Sequence, residues 1–204
     1  MLLQFTILLY QQNNFIMKES GLILIMLVGS LLLCTNAWTQ DSSAGDNVSL
    51  EISSFSLIET NSAPVSLSLT TSTAGAIVAS TSNSDLFIKI SSILPNGTNR
   101  EITARVSSGS VPTGTNLTLV SAPCTTINSD GDLGTPAATP ITLSAIDQDL
   151  VTGIGTCYTG TAYNDGYQMT FTWGPDNPAT NYGLIESDTY NLIVVFTITA
   201  HDGN

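Results

Sequence analysis

The chain has 204 residues, of which 42% are hydrophobic and only 10% are charged. Sixteen aspartates and glutamates stand against four lysines and arginines, which gives a formal net charge of −12 at pH 7. Nucleic acids and anionic lipid surfaces do not attract so acidic a protein, so the charge excludes both as partners. The hydrophobic residues alternate regularly with polar ones, which excludes a disordered chain.

Residues 1–37 are predicted to form a signal peptide. A short basic lead that begins at Met17 precedes the apolar run 21–33, and small residues follow at Thr35 and Ala37. These are the three parts of a secretory signal, and Met17 is a better initiator than Met1. We therefore expect a protein that is secreted or held at the cell surface, extracellular or periplasmic, with no membrane contact after cleavage.

Two other interpretations of residues 1–37 stay open. The apolar run 21–33 could anchor the chain in a membrane, but it is shorter than the about 20 residues that span a bilayer. Cys34 could carry a lipid, but Leu33 occupies the place where a small residue normally precedes a modified cysteine.

Short strands follow one another through residues 38–204, which we predict to be one domain. They are recognised by apolar residues at every second position, with β-branched and aromatic types enriched. The apolar positions change parity at residues 53–54, which predicts a bend, and 153–166 is predicted to be a glycine-rich connection. The predicted strands are 48–52, 65–69, 76–78, 85–91, 100–107, 141–145, 167–173 and 189–200.

The last strand, 189–200, has the strongest pattern in the chain. Its even positions are all apolar, from Tyr190 to Ala200. A period of two over this length indicates a long strand with one buried face. We expect this strand to lie in the centre of a sheet, next to the strand 167–173.

No amphipathic helix is predicted after the signal peptide. Asn96-Gly97 is a strong turn signal, and it joins 85–91 to 100–107 as a hairpin. About eight to ten short strands with frequent turns predict an all-β protein, an antiparallel β-sandwich.

Two cysteines, Cys124 and Cys157, belong to the mature chain. An even pair in an exported protein predicts one disulfide, which would stabilise the fold by about 3–4 kcal/mol. The alternative is two separate buried thiols.

Candidate chemistry is sparse. Asn128, Asp130 and Asp132 have the spacing that opens a calcium loop, but position 12 is Thr139 rather than glutamate, so a polar turn is predicted. The single histidine, His201, follows the last strand, which is a poor place for a rigidly held catalytic base. We predict no catalytic residue, no metal ligand and no cofactor, and hence no enzyme.

Four aromatic residues near the glycine-rich connection suggest a sugar platform. Tyr167 and Trp173 alternate with polar residues, as core residues of a strand do. Tyr158 and Tyr163 are predicted to lie in a loop, which makes them the candidate ligand contacts.

The mature chain resembles bacterial fimbrial subunits and spore-coat-U-like secreted proteins. The resemblance is carried by its acidic, Ser/Thr-rich composition and by the long Thr-rich final strand, Asp188-Thr189-Tyr190 through Val195-Phe196-Thr197-Ile198-Thr199. It implies an immunoglobulin-like sandwich and assembly by strand donation between subunits, without catalysis. Residues 38–46 are too polar for a donor strand, which leaves 48–52, and the tail 201–204 extends past the point where such subunits usually end.

Two functions follow as hypotheses. The first is a secreted, non-catalytic structural or surface-assembly protein whose partners are other protein subunits or surface components. The second is a secreted module that binds a glycan or another surface ligand through Tyr158 and Tyr163.

Overall fold

The computed structural model describes residues 45–124 and 130–201. The predicted signal peptide 1–37, including Met17 and Cys34, lies outside the described residues, as do residues 128–129 of the predicted turn and 202–204 of the tail. The chain divides into two compact units, 1–50 and 51–204, and the strands of the described residues belong to the second.

Antiparallel strands make up the regular structure of the described residues, which confirms the all-β prediction. One four-residue helix, α1 (Pro178–Asn181), and a single 3-10 turn (Tyr182–Leu184) interrupt them. The strands are β1 (Phe55–Thr60), β2 (Thr81–Ile93), β3 (Arg100–Ser108), β4 (Thr115–Ser121), β5 (Asp130–Pro136), β6 (Ile141–Thr142), β7 (Gln148–Tyr158), β8 (Tyr167–Pro175) and β9 (Ile193–Ala200).

The longest strand, β2, belongs to two groups of strands. Its first half, residues 81–88, pairs with β8, which pairs in turn with β4, and β4 with β6. Its second half pairs with β1 along residues 88–93 and with β7 at Ser91 and Ser92. Strand β7 also pairs with β3 and β5, and β3 pairs with β9.

The core takes its side chains from both groups of strands. The predicted inward positions of β2, β3 and β8 are confirmed, since all of them except the half-buried Trp173 are buried. Full burial of such an aliphatic or aromatic side chain stabilises a fold by about 1.5–3 kcal/mol. The buried core residues are Leu86, Ile88, Ile90, Ile102, Ala104, Val106, Leu117, Leu119, Leu143, Leu150, Val151, Ile154, Cys157, Tyr167, Met169 and Phe171.

Residues 45–54 form no strand, so the strand predicted at 48–52 is wrong. The first strand begins at Phe55, which lies opposite Ile93, the last residue of β2. Because β2 ends there, it has no residue left to pair with the segment before Phe55. The expected bend at 53–54 coincides with the start of β1.

The predicted strands 65–69 and 76–78 are also wrong, because residues 61–80 have no regular structure apart from a turn near Gly75. Their apolar residues make isolated contacts instead: Leu67 packs on the core, and the amide of Val78 donates to the Tyr182 hydroxyl at 3.1 Å. The predicted strand 141–145 is shorter than expected, since β6 ends at Thr142.

The glycine-rich connection predicted at 153–166 is half strand, because β7 continues to Tyr158. Its neighbour β5 covers residues 130–132, where a turn was predicted. Glycines permit this pairing: a Cβ on Gly131, which has φ +81°, would collide with the Thr156 carbonyl oxygen, and one on Gly155 would lie 3.0 Å from Asp132 Cβ. Such close approach makes glycine a strand residue here.

Strand β9 is not central, which corrects the expectation for the last strand. It covers only Ile193–Ala200 and, among the described strands, pairs with β3 alone. Strand β8 has β4 and β2 as its neighbours, so β8 and β9 are not adjacent. The alternation predicted a buried face correctly, since Val194, Phe196 and Ile198 pack against the core while remaining half-buried. The alternation carried no information about which strands lie next to β9.

Candidate functional site

Strand β9 is an edge strand of the described sheet, and it lacks two of the usual devices that protect such an edge. Its sequence, IVVFTITA, contains no charged residue and no proline. Natural edge strands generally carry such residues because they discourage pairing with another chain. Its outward side chains are Ile193, which is 59% exposed, and then Val195, Thr197 and Thr199.

Both ends of β9 are fixed to the neighbouring strand. At the first end the Ser107 hydroxyl donates to the Ile193 carbonyl oxygen at 3.2 Å. At the other end the His201 amide donates to the Asn99 carbonyl oxygen at 2.9 Å, and His201 Nδ1 lies 2.5 Å from Glu101 Oε2. His201 thus closes one end of the β3–β9 pair, and at the other end the register of the pair shifts between Val106 and Ser108.

Strand β1 is a second edge, in line with the first. Strand β5 occupies one edge of β7 at both Ile154 and Cys157, so β3 at Ile154 and β2 at Cys157 must share the other edge. Beyond β3 lies β9, and beyond the second half of β2 lies β1. Since each is antiparallel to its neighbour, β9 and β1 both run in the direction of β7, one after the other.

Arg100 connects the two edge strands. It lies opposite Ala200, the last residue of β9, and its Nη2 donates to the Ser54 hydroxyl at 3.3 Å, one residue before β1. We call β9 and β1 together the composite edge. In the described part of the chain, no further strand pairs with the outer side of either.

The segment before β1, residues 45–54, is here called the lead segment. Its aliphatic residues alternate with polar ones, and Val48, Leu50 and Ile52 are 79%, 89% and 80% exposed. An extended segment with one apolar face is the kind of ligand that adds to an open sheet edge. The wrongly predicted strand is therefore a candidate strand without a partner in its own sheet.

The predicted disulfide residues lie at a buried polar cluster. Cys157 is 6% exposed, and Ser92, directly opposite on β2, is 1% exposed. The Ser92 hydroxyl has no hydrogen-bond partner among the described residues, whereas the Tyr167 hydroxyl donates to the Leu133 carbonyl oxygen at 2.5 Å.

The charge near this cluster disfavours a thiolate. The pKa of the Cys157 thiol is raised from 9.0 to about 11, first by burial, then by Asp132 and by Cys124. Burial, followed by the two cysteines and Asp132, likewise raises the pKa of Tyr167 far above its ordinary value. Cys124 is half-buried and close enough to act on Cys157, but no disulfide joins them in the described residues. The disulfide stays a prediction.

The candidate ligand residues lie in different settings. Tyr158 is the last residue of β7, not a loop residue, and is 48% exposed. It lies opposite Ser91, which lies opposite the exposed Leu57 of β1, so the three share one outer face. Tyr163, 61% exposed, lies in the following turn, where the Ala162 amide donates to Asp165 Oδ2 at 2.6 Å.

Sequence reasoning found the last strand but placed it in the centre of a sheet, and it missed the residues that connect the two edge strands. Arg100 and Ser54 carry no motif, and the only available signal was the absence of charge in β9. Within residues 45–124 and 130–201, no three His, Cys, Asp or Glu side chains are grouped so that they could hold a metal ion. No helix in that part of the chain is long and apolar enough to cross a membrane.

No protein-family model matches the chain, and no curated protein matches it either.

Proposed function

We propose that this protein is a secreted, non-catalytic structural protein that assembles with other protein subunits at the cell surface. The proposal includes the cleaved signal peptide 1–37 and an immunoglobulin-like sandwich as the mature domain. The observation that carries it is the composite edge, which consists of the eight uncharged residues of β9 followed by β1, and whose outer sides pair with no further strand among the described residues. Such an edge is a template for strand addition.

Electrostatics favour the composite edge as the contact between copies. Two chains with a net charge of −12 repel each other at long range, and salt screens this repulsion. Strand β9 adds no charge to the contact, so backbone hydrogen bonds can form there without bringing like charges together. Assembly should therefore increase as the salt concentration rises to physiological values.

The lead segment is the proposed donor. The lead segment of one copy would pair through its backbone with the composite edge of a neighbouring copy. Its residues Val48, Leu50 and Ile52 would cover apolar surface that is exposed in the isolated chain. The alternative partner is another surface component that contributes a strand of its own.

Sedimentation velocity of the purified secreted protein tests the proposal. The double variant Thr197→Lys, Thr199→Lys places two charges on the outer face of β9 and should reduce the protein to monomers. The control is Ser66→Lys, Ser68→Lys, which adds the same charge at two exposed positions outside any strand. A wild-type protein that stays monomeric at every salt concentration would contradict assembly.

A second set of variants tests the donor. Replacing Val48, Leu50 and Ile52 with serine should abolish assembly, while Ser49→Ala with Glu51→Gln, on the opposite face of the segment, should preserve it. If the serine variant still assembles and the lysine variant of β9 does not, the donated strand comes from elsewhere.

Glycan binding is the second candidate, favoured by the exposure of Tyr158 and Tyr163. Aromatic side chains with a polar end suit sugars, since the ring is apolar and the hydroxyl can donate a hydrogen bond. Retention of a monomeric protein on a polysaccharide column, lost in Tyr158→Ala and Tyr163→Ala, would favour this function over assembly.

A further inference from the structure

The connection between β2 and β3 contains the one Asn-Gly pair in the sequence, Asn96-Gly97. Residues 95–99 are all exposed, and the pair forms a turn. The hydrogen bonds of this turn are internal to it, since the Thr98 amide and the Thr98 hydroxyl both donate to the Pro95 carbonyl oxygen, at 3.3 and 2.8 Å. The turn can therefore change shape without breaking a hydrogen bond between strands.

The Asn96 side chain and the Gly97 backbone nitrogen have no hydrogen-bond partner among the described residues. Gly97 has φ +82°, a conformation that glycine adopts without strain. A Cβ placed on Gly97 would meet no atom within 4 Å, so the space around this residue is open. No side chain on Gly97 hinders the rotation that brings its nitrogen to the side-chain carbonyl carbon of Asn96.

Two other asparagines of the described residues precede a small residue, serine, and both are held by hydrogen bonds. Asn61 is 8% exposed, and its Nδ2 donates to the Asp85 carbonyl oxygen at 2.9 Å. Its Oδ1 accepts from the Phe87 amide at 3.0 Å. Asn83 contacts Asp85 twice, since its Nδ2 donates to Asp85 Oδ2 at 2.8 Å and its Oδ1 accepts from the Asp85 amide at 3.1 Å. These side chains are fixed, whereas that of Asn96 is not.

We propose that Asn96 is a modification site, at which the folded protein converts its own asparagine to aspartate and isoaspartate with water as the co-reactant. The carboxylate that results is ionised at neutral pH, so the conversion adds a negative charge to the turn. This inference is independent of the assembly function.

The conversion proceeds through a cyclic imide and involves no oxidation or reduction. The Gly97 backbone nitrogen loses its proton to hydroxide and attacks Cγ of Asn96. A new bond forms between these two atoms, the bond between Cγ and Nδ2 breaks, and Nδ2 takes up a proton and leaves as ammonia. Water then adds to either carbonyl carbon of the ring. Opening on one side gives aspartate, and opening on the other gives isoaspartate, in which the backbone runs through the former side chain.

Peptide mapping by mass spectrometry of the purified secreted protein, incubated at pH 8, tests the proposal. The peptide that contains Asn96 should gain about 1 Da. The gain should be at least about tenfold faster than at Asn83, because two hydrogen bonds of Asn83 must break first. Isoaspartyl methyltransferase should label the same peptide. Asn96→Gln should abolish the gain, because glutamine would have to close a larger ring, and Asn99→Gln in the same exposed connection should leave its rate unchanged.

Four results would overturn the proposal. The folded chain could gain no mass at Asn96, even though the denatured chain does. Another asparagine could gain it first. The product could be aspartate alone, which direct hydrolysis of the side-chain amide would give without a ring. Asn96 also begins the sequence Asn-Gly-Thr, an acceptor for N-linked sugars. A sugar found on its Nδ2 in the secreted protein would therefore overturn the proposal as well.

Discussion

Strands β8 and β9 have the same alternation of apolar side chains but lie in different parts of the sheet. Strand β8 has a neighbour on each side, and Tyr167, Met169 and Phe171 on it are buried. On its outer face, side-chain hydroxyls form hydrogen bonds with those of β2, between Ser82 and Thr172 and between Ser84 and Thr170, each at 2.9 Å. Strand β9 has one neighbour among the described strands, and Val194, Phe196 and Ile198 on it are half-buried. One strand is therefore enclosed within the described sheet, and the other forms an edge of it.

The largest expected difference between the two strands is in packing. Phe171→Ala in β8 should lower the free energy of unfolding by about 3–5 kcal/mol, because it removes a buried ring and leaves a cavity. Phe196→Ala in β9 should cost about 1–2 kcal/mol, because water already reaches part of that ring. Denaturant unfolding measures both. Equal costs would mean that β9 is as enclosed as β8.

Alkaline pH should lower the free energy of unfolding by about 2–3 kcal/mol through a group in the core, and the edge should contribute nothing to this loss. The pKa of Cys157 is raised from 9.0 to about 11 in the folded chain, so between these values the unfolded chain releases a proton that the folded chain keeps. Stability from this group is complete below about pH 9 and is lost as the pH rises through about 11. Unfolding of the reduced protein at pH 8 to 11 should show this loss.

The matched variant is Cys157→Ala, in which the loss of stability at alkaline pH should be absent up to about pH 10. Above that pH the ionisation of Tyr167 in the unfolded chain still contributes, since burial raises the pKa of that hydroxyl as well. A variant that loses stability between pH 9 and 10 as steeply as the parent would exclude Cys157 as the source.

The smallest expected effect is on the stability of the edge variant. Thr197→Lys with Thr199→Lys should change the free energy of unfolding of the monomer by less than about 1 kcal/mol, because both side chains lie on the outer face of an edge strand. Thermal unfolding at low protein concentration measures this. If the variant unfolds several degrees earlier, loss of assembly could not be attributed to the edge.

The all-β class and much of the core were predictable because burial alternates along a strand. The hairpin predicted from Asn96-Gly97 is wrong, because β2 and β3 do not pair with each other among the described strands and instead lie along the same edge of β7. Ile102, Ala104 and Val106 are buried as the alternation predicts, and a turn does lie at residues 96–97. These features depend on residues that are close in sequence. The neighbours of a strand depend on the whole chain, so the edge position of β9 was not predictable from its own pattern.

The errors in the middle of the chain have a different cause. Glycine was interpreted as a loop signal at Gly131 and Gly155, but both positions lie where β5 and β7 approach closely, and at Gly131 a side chain would collide with the neighbouring backbone. The segment 48–52 has a strand pattern without a strand to pair with, because β2 ends at Ile93. A local pattern indicates that a segment can form a strand, and the presence of an unpaired neighbouring strand decides whether it does so.

The position of β2 in both groups of strands has a consequence for how the chain folds as it emerges from a ribosome or a translocation channel. Residues 81–88 need residues 167–173 as their partners, and Ser91 and Ser92 need residues 157–158. Until about residue 173 has emerged, one long side of β2 has nothing to bind, and contacts this distant in sequence form slowly. The first half of the protein is therefore expected to stay open until then, with an unpaired strand edge that makes it prone to aggregation.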